Sequence, residues 1–233
     1  QRCAAGVIAL AGMCAFWGDR CEGGAVRQKL SRWFWCGGFG ELYGGANESR
    51  YAFDVPEVLK WSDGGEDPRS VRDASFDPIR LLSLQTRNSA AYKGVYALLM
   101  KAGSLDFLNA DPIEITGYFD LSIDIHHIFP SSYCQKKGYS RTKWNSVVNK
   151  TPLSARTNRT IGGRAPSEYI TALEGGSHKI PAERIDELLA SHKLTPLLMR
   201  NDGFELFIRD RASQLLDLIG SAMGKTISGR DSD

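Results

Sequence analysis

A chain of 233 residues with 42% apolar and 24% charged residues can bury a full core, as one large domain or two small ones. Its longest apolar stretch, residues 3–17, contains Gly6 and Gly12 and is too short and too rich in small residues to span a bilayer comfortably, so no membrane partner is expected. The net charge of +2 conceals an asymmetry: Lys136, Lys137, Arg141, Lys143, Lys150, Arg156, Arg159 and Arg164 fall in a segment, 131–164, that has no acid, while the rest of the chain holds 21 basic against 27 acidic residues.

Apolar residues at helical spacing predict helices over residues 3–17, 25–35, 55–61, 78–84 and 89–100, punctuated by the pairs Gly23-Gly24, Gly37-Gly38, Gly44-Gly45 and Gly64-Gly65. The first of these also has the length of a secretory apolar region, but it lacks a basic leader beyond Arg2 and a cleavage site. Gln1, where a Met would open a complete chain, leads directly into it and predicts a piece of a longer protein. Trp17, Trp33, Trp35 and Trp61 read as packing residues. The five cysteines include no C-x-x-C pair, so neither a disulfide framework nor a zinc ribbon is expected, and reduced thiols in a cytoplasmic protein are the simpler account.

After a connection at Asp111-Pro112 and a short strand or turn over 113–119, the pattern changes. Residues 123–128 form a β-prone run that stops at Pro130. Residues 131–144 read as a long basic loop, 147–152 as a second short strand, and Ser154 as the cap of a short helix carrying Asn158. Pro166 suits the first turn of another helix. Helices over 181–192 and 205–223 follow, then a polar, frayed tail over 224–233. His178 and His192 lie near polar helix ends and receive no role.

The sequence Asp124-Ile125-His126-His127-Ile128-Phe129-Pro130, with Asn149 and Asn158 downstream, supplies the parts of a one-metal phosphodiesterase site. Adjacent strand residues point to opposite faces, so His126 and His127 divide the labour: one on a metal, the other facing a water as a neutral base. The acid-free basic segment overlaps these residues. That favours a surface for the phosphates of DNA, with Lys136, Lys137, Lys143, Lys150, Arg156, Arg159 and Arg164 as contacts.

The whole segment resembles the ββα-metal motif of HNH endonucleases. That resemblance implies His126 as a metal ligand, His127 as the general base, Asn149 as the residue holding the base-bearing strand and loop, and Asn158 as a second metal ligand on the helix. With so few protein ligands, waters and substrate oxygens complete the shell, which favours Mg²⁺ or Mn²⁺ over a closed zinc site. Asp124 is then expected behind the ligands, orienting one of them or the helix. Asn149-Lys150-Thr151-Pro152-Leu153-Ser154, Asn158-Arg159, and Gly162-Gly163 leading to Pro166-Ser167-Glu168-Tyr169 resemble the C-terminal nuclease portion of GmrSD-type restriction and anti-phage defence proteins. Members usually carry an N-terminal, NTP-using half with an Asp-Gly-Gln-Gln-Arg signature, which this chain lacks; that half is expected as a partner or a missing region.

The expectation is therefore an α+β fold, predominantly helical, with an embedded HNH motif: a helical domain over 1–110, the nuclease motif over 111–175, and C-terminal helices over 176–233 packed on it. The expected activity is metal-dependent DNA cleavage by nicking. A homing-type or toxin nuclease and a non-catalytic DNA-binding or assembly module are the alternatives.

Overall fold

The computed structural model describes residues 2–42, 47–113 and 123–229, without the side chains of residues 2–5, 47–48, 51 and 123–124. These residues are mostly helical and include one small, two-stranded antiparallel sheet. The chain divides into two compact units that interleave in sequence, residues 1–78, 86–94 and 217–233 in one and residues 79–85 and 95–216 in the other. The boundaries expected at 110 and 175 do not coincide with this division.

The first unit contains α1 (Arg2–Trp17), α2 (Gly24–Phe39), α3 (Asn47–Ser62) and α4 (Arg69–Arg72). Its core gathers Met13, Trp17, Trp33, Cys36, Phe39, Val58 and Trp61, so three of the four tryptophans noted in the sequence are packing residues. Phe39 stacks on Trp35 and meets Phe76 edge-on, each with ring centroids 5.7 Å apart. Gly94 is required against that ring, since a Cβ there would come within 3.0 Å of Phe39. α3 begins eight residues before the apolar pattern, with Pro56 inside it. The polar Asn47-Glu48-Ser49-Arg50 turn gives no apolar period to read.

Two expectations change here. Cys14 and Cys21 are paired as a disulfide with Cα atoms 5.3 Å apart, where reduced thiols were expected; an odd cysteine count does not prevent a local pair seven residues apart. The described part of the tail, 224–229, is docked rather than frayed. Lys225 donates to the carbonyls of Arg72 and Ala74, and Ile227 is buried.

The second unit holds the sheet. α5 (Arg80–Ser83) and α6 (Ala90–Lys101) precede β1 (Ile123–His127). Of the strand or turn expected over 113–119, only residue 113 is among the described residues. Residues 131–144, expected as a loop, form α7 (Ser131–Lys136) and α8 (Arg141–Trp144). Each is too short to show a period, and their buried anchors are single residues, Cys134 and Trp144. A 3₁₀ turn, Val147–Asn149, leads into β2 (Lys150–Ser154), which pairs antiparallel with β1.

β2 passes directly into α9 (Ala155–Ile161), which packs against both strands. Ser154 caps it as expected, its hydroxyl accepting from the Thr157 amide at 3.1 Å. α10 (Pro166–Glu174) starts on Pro166 as its first residue. α11 (Ala182–Ser191), α12 (Pro196–Arg200) and α13 (Phe204–Met223) complete the order. Phe129, just past β1, is fully buried against Phe204 and Phe207, at 5.3 and 4.8 Å between centroids. Tyr169 of α10 donates its hydroxyl to the Ile128 carbonyl. The end of β1 is thereby fixed in the core from two sides. No helix among the described residues is long and apolar enough to cross a membrane.

Candidate functional site

The register sets His126 opposite Thr151 and His127 opposite Lys150. Directly opposed residues share a face of an antiparallel pair, so the two histidines look to opposite sides of the hairpin. On the His126 side the hairpin packs against the rest of its unit, with His126 itself part-exposed. The Nε2 atom of His126 is buried, and Thr151 is fully buried with its hydroxyl 2.6 Å from Nδ1 of His192. Nε2 of His192 lies 2.8 Å from the Leu105 carbonyl, which only accepts, so the proton sits on Nε2 and Nδ1 accepts from Thr151. Burial pushes the His192 imidazole down to about 4. His192 is thus a neutral brace of β2, not a polar helix end. Its partners are too distant in sequence to be inferred.

On the other side, His127 is half-buried, its ring edge-on to Trp144 at 5.8 Å. Its pKa is held below the ordinary imidazole value, chiefly by burial and then by the charge of Lys150, against a smaller opposing effect of its hydrogen bond to Asn145. The ring is therefore neutral at neutral pH.

Asn149 is completely buried. Its Oδ1 accepts from the Phe129 amide at 2.8 Å, while Nδ2 donates to the carbonyls of Phe129 at 2.8 Å and Trp144 at 2.9 Å. Its own carbonyl accepts from the Ile128 amide. One side chain therefore ties the end of the strand bearing His127 to the helix bearing Trp144. Arg211 of α13 reinforces this from beneath: its fully buried guanidinium donates to the carbonyls of Val148 and Lys150, on either side of Asn149, and to that of His192.

Asn158 lies on α9, half-exposed. That helix is positioned by a residue outside the motif. The buried carboxylate of Asp106 accepts from the Ser154 amide at 2.9 Å, from the Thr157 hydroxyl and from the Leu108 amide at 3.0 Å. Burial alone would raise its pKa, but these hydrogen bonds hold it below the usual carboxylate value. Asp124 sits in β1 opposite Leu153, and its side chain is outside the described residues.

The basic residues expected on DNA separate into groups. Lys136, Lys137, Arg156 and Arg159 are exposed. Arg164 is exposed but turned back on the end of α9, donating to the carbonyls of Thr160 and Ile161. Lys143 pairs with Glu205 at 2.5 Å. Lys150 must be removed from the set: it is 6% exposed, and its ammonium donates to the Gln85 carbonyl at 2.9 Å. A lysine opposite the half-buried His127 is drawn inward by that acceptor.

Among the described residues no three His, Cys, Asp or Glu side chains gather into a metal-holding group. Besides His127, the motif's donors at the hairpin and α9 among the described residues are the imidazole of His126 and the side-chain amide oxygen of Asn158, a sparse set of the kind that leaves room for water and substrate oxygens around a hard cation.

No family model matches the chain, and no solved structure matches it. It is similar to uncharacterized protein MJ0686 of Methanocaldococcus jannaschii, with 31% identity over 175 residues. The match takes in 70% of this chain but only 29% of that relative. The matched stretch thus spans less than a third of the length of the protein it resembles.

Proposed function

We propose that this chain is a metal-dependent DNA endonuclease module of the HNH type, the effector portion of a restriction or anti-phage defence protein of the GmrSD kind. The observation that carries the reading is the Asn149 tie. A buried asparagine between two short strands anchors the end of the strand carrying His127, while the helix that follows directly carries Asn158. A β-hairpin and helix with those residues in that order is the arrangement the HNH resemblance requires.

In this reading His126 and Asn158 hold Mg²⁺ or Mn²⁺, with Asp124 behind them. When bound, the cation supplies charge stabilisation at the phosphorus and at the leaving 3′-oxygen. The chain's own residues do the rest. His127, neutral and half-exposed, takes a proton from the attacking water. Arg159, next to Asn158 in sequence, is an exposed cation suited to the scissile phosphate, and Lys136, Lys137 and Arg156 to flanking phosphates. An NTP-using, modification-sensing half is the expected partner, in keeping with the small share of the archaeal relative that is matched.

The test is nicking of supercoiled plasmid with Mg²⁺, with Mn²⁺ and with EDTA. Cleavage with either metal, abolished by EDTA and by His127→Ala, supports the reading. Retarded DNA mobility without cleavage under every condition points to a binding or assembly module instead.

A further inference from the structure

His127 does not stand alone on its face of the hairpin. Its Nε2 lies 3.3 Å from Oδ1 of Asn145, at the end of α8. Nδ2 of Asn145 donates to Oε1 of Gln85 at 3.2 Å, and Nε2 of Gln85 donates to the Leu82 carbonyl at 3.4 Å. The direction of this chain is set at its far end. A backbone carbonyl only accepts, so Gln85 must present its NH₂ to Leu82 and its oxygen to Asn145. Asn145 must then offer its NH₂ to Gln85 and its oxygen to His127. An amide oxygen only accepts, so the ring nitrogen facing it must carry a hydrogen. Both amide orientations, which an isolated contact would leave open, follow from one fixed acceptor.

We infer that Asn145, itself oriented by Gln85, is a positioning residue that fixes His127 in the Nε2–H tautomer and leaves Nδ1 as the atom that receives the proton from water. The inference rests on the nuclease reading for the role of that proton, but not for the tautomer. Neither residue belongs to the motif: Gln85 precedes His127 by more than forty positions. The backbone carbonyl of Gln85 also receives the Lys150 ammonium, so the residue that orients Asn145 anchors the lysine opposite His127 as well. Partners of this kind matter because a neutral imidazole with its hydrogen on the wrong nitrogen presents a donor where the water needs an acceptor. Losing an orienting partner behind a functional histidine costs roughly 10–100-fold.

The experiment pairs a spectroscopic readout with a kinetic one. ¹⁵N-labelled histidine in the whole chain, free of metal and near neutral pH, reports which ring nitrogen is protonated in each of the four histidines, and His127→Ala identifies the signals to follow. The expected result is a protonated Nε2 and a bare Nδ1 at His127. In Asn145→Leu the preference is lost, and plasmid nicking slows by about 10–100-fold with unchanged DNA affinity. Asn145→Asp keeps an oxygen facing Nε2 and restores both the tautomer and most of the rate. Gln85→Leu, which releases Asn145 without touching His127, moves both readouts in the same direction as Asn145→Leu and serves if that variant does not fold. A protonated Nδ1 in the parent overturns the inference. So does a parent that nicks through His127 while Asn145→Leu and Gln85→Leu nick at its rate. A parent that does not nick with either metal overturns the nuclease reading and the catalytic role with it, while the tautomer signals still decide whether Asn145 sets the ring.

Discussion

Asn149 grips Phe129 by both backbone groups at once, accepting from its amide and donating to its carbonyl, each at 2.8 Å. A side-chain amide here does the work of a strand neighbour just where the β1–β2 ladder ends, and it does so with no solvent exposure. Asn149→Ala strands a buried amide and two buried carbonyls, so a loss of about 3–5 kcal/mol in unfolding free energy is expected by urea titration. Asn149→Asp keeps the acceptor but turns a charged oxygen toward the carbonyls of Phe129 and Trp144. It should be no milder, and an Asp variant of parental stability would contradict the geometry.

His127 makes few structural commitments: an edge contact with Trp144 and one hydrogen bond to Asn145. On the nuclease reading, His127→Ala folds, binds DNA and holds metal, while cleavage falls by about 10²–10⁴-fold. Single-turnover nicking beside a thermal melt checks it. A loss of metal affinity instead would exchange the roles of His126 and His127.

On the same reading, His126→Ala and Asn158→Ala should each raise the Mg²⁺ or Mn²⁺ concentration needed for cleavage, since each would remove one of the two proposed protein donors. Calorimetric titration of metal into the parent and both variants gives the comparison. Equal affinities in all three would place the cation elsewhere.

Lys136 and Lys137 are exposed, adjacent and clear of the site's internal hydrogen bonds. If they meet phosphates, neutralising both flattens the dependence of log K on log salt by up to about 2, with metal binding unchanged. Lys150 provides the internal control. With its ammonium on the Gln85 carbonyl, Lys150→Met should leave the salt slope as it is.

Stability should fall on mild acidification because of His192. Its folded pKa of about 4 lies below the ordinary 6.5, so between those values the unfolded chain binds the extra proton. The contribution is complete above about pH 6.5 and is lost as pH falls toward 4. It amounts to up to about 3 kcal/mol. Asp106, also depressed, adds a further loss only below that window, as pH falls under the ordinary carboxylate value. Chemical denaturation from pH 7.5 to 4 measures the slope, and His192→Gln should flatten it.

What the sequence reveals and conceals divides by range. Ser154 capping α9 and Pro166 opening α10 depend on neighbours within a turn, and both are visible in the residue order. The paired histidines on a strand are visible for the same reason. α7 and α8 are hidden because their anchors, Cys134 and Trp144, are single buried residues in six- and four-residue helices. Lys150 looks like a phosphate contact because only its type is legible; the carbonyl that draws it inward belongs to Gln85, 65 residues away. His192 reads as surface for the same reason, its partners Thr151 and Leu105 being 41 and 87 residues distant.

The buried Arg211 bears on how such a site could be moved between proteins. Excising residues 123–170 and grafting them onto another scaffold would carry His126, His127, Asn149 and Asn158 intact. The graft would leave behind the guanidinium holding the carbonyls beside Asn149, the Asp106 carboxylate at the head of α9, the Gln85 amide and the His192 brace. Each was recruited from sequence on one side of the motif or the other. A recombination event that preserved every recognisable letter would still deliver an unsupported hairpin. All of these supports lie within the compact unit of residues 79–85 and 95–216, so the site belongs to that unit rather than to the motif segment alone.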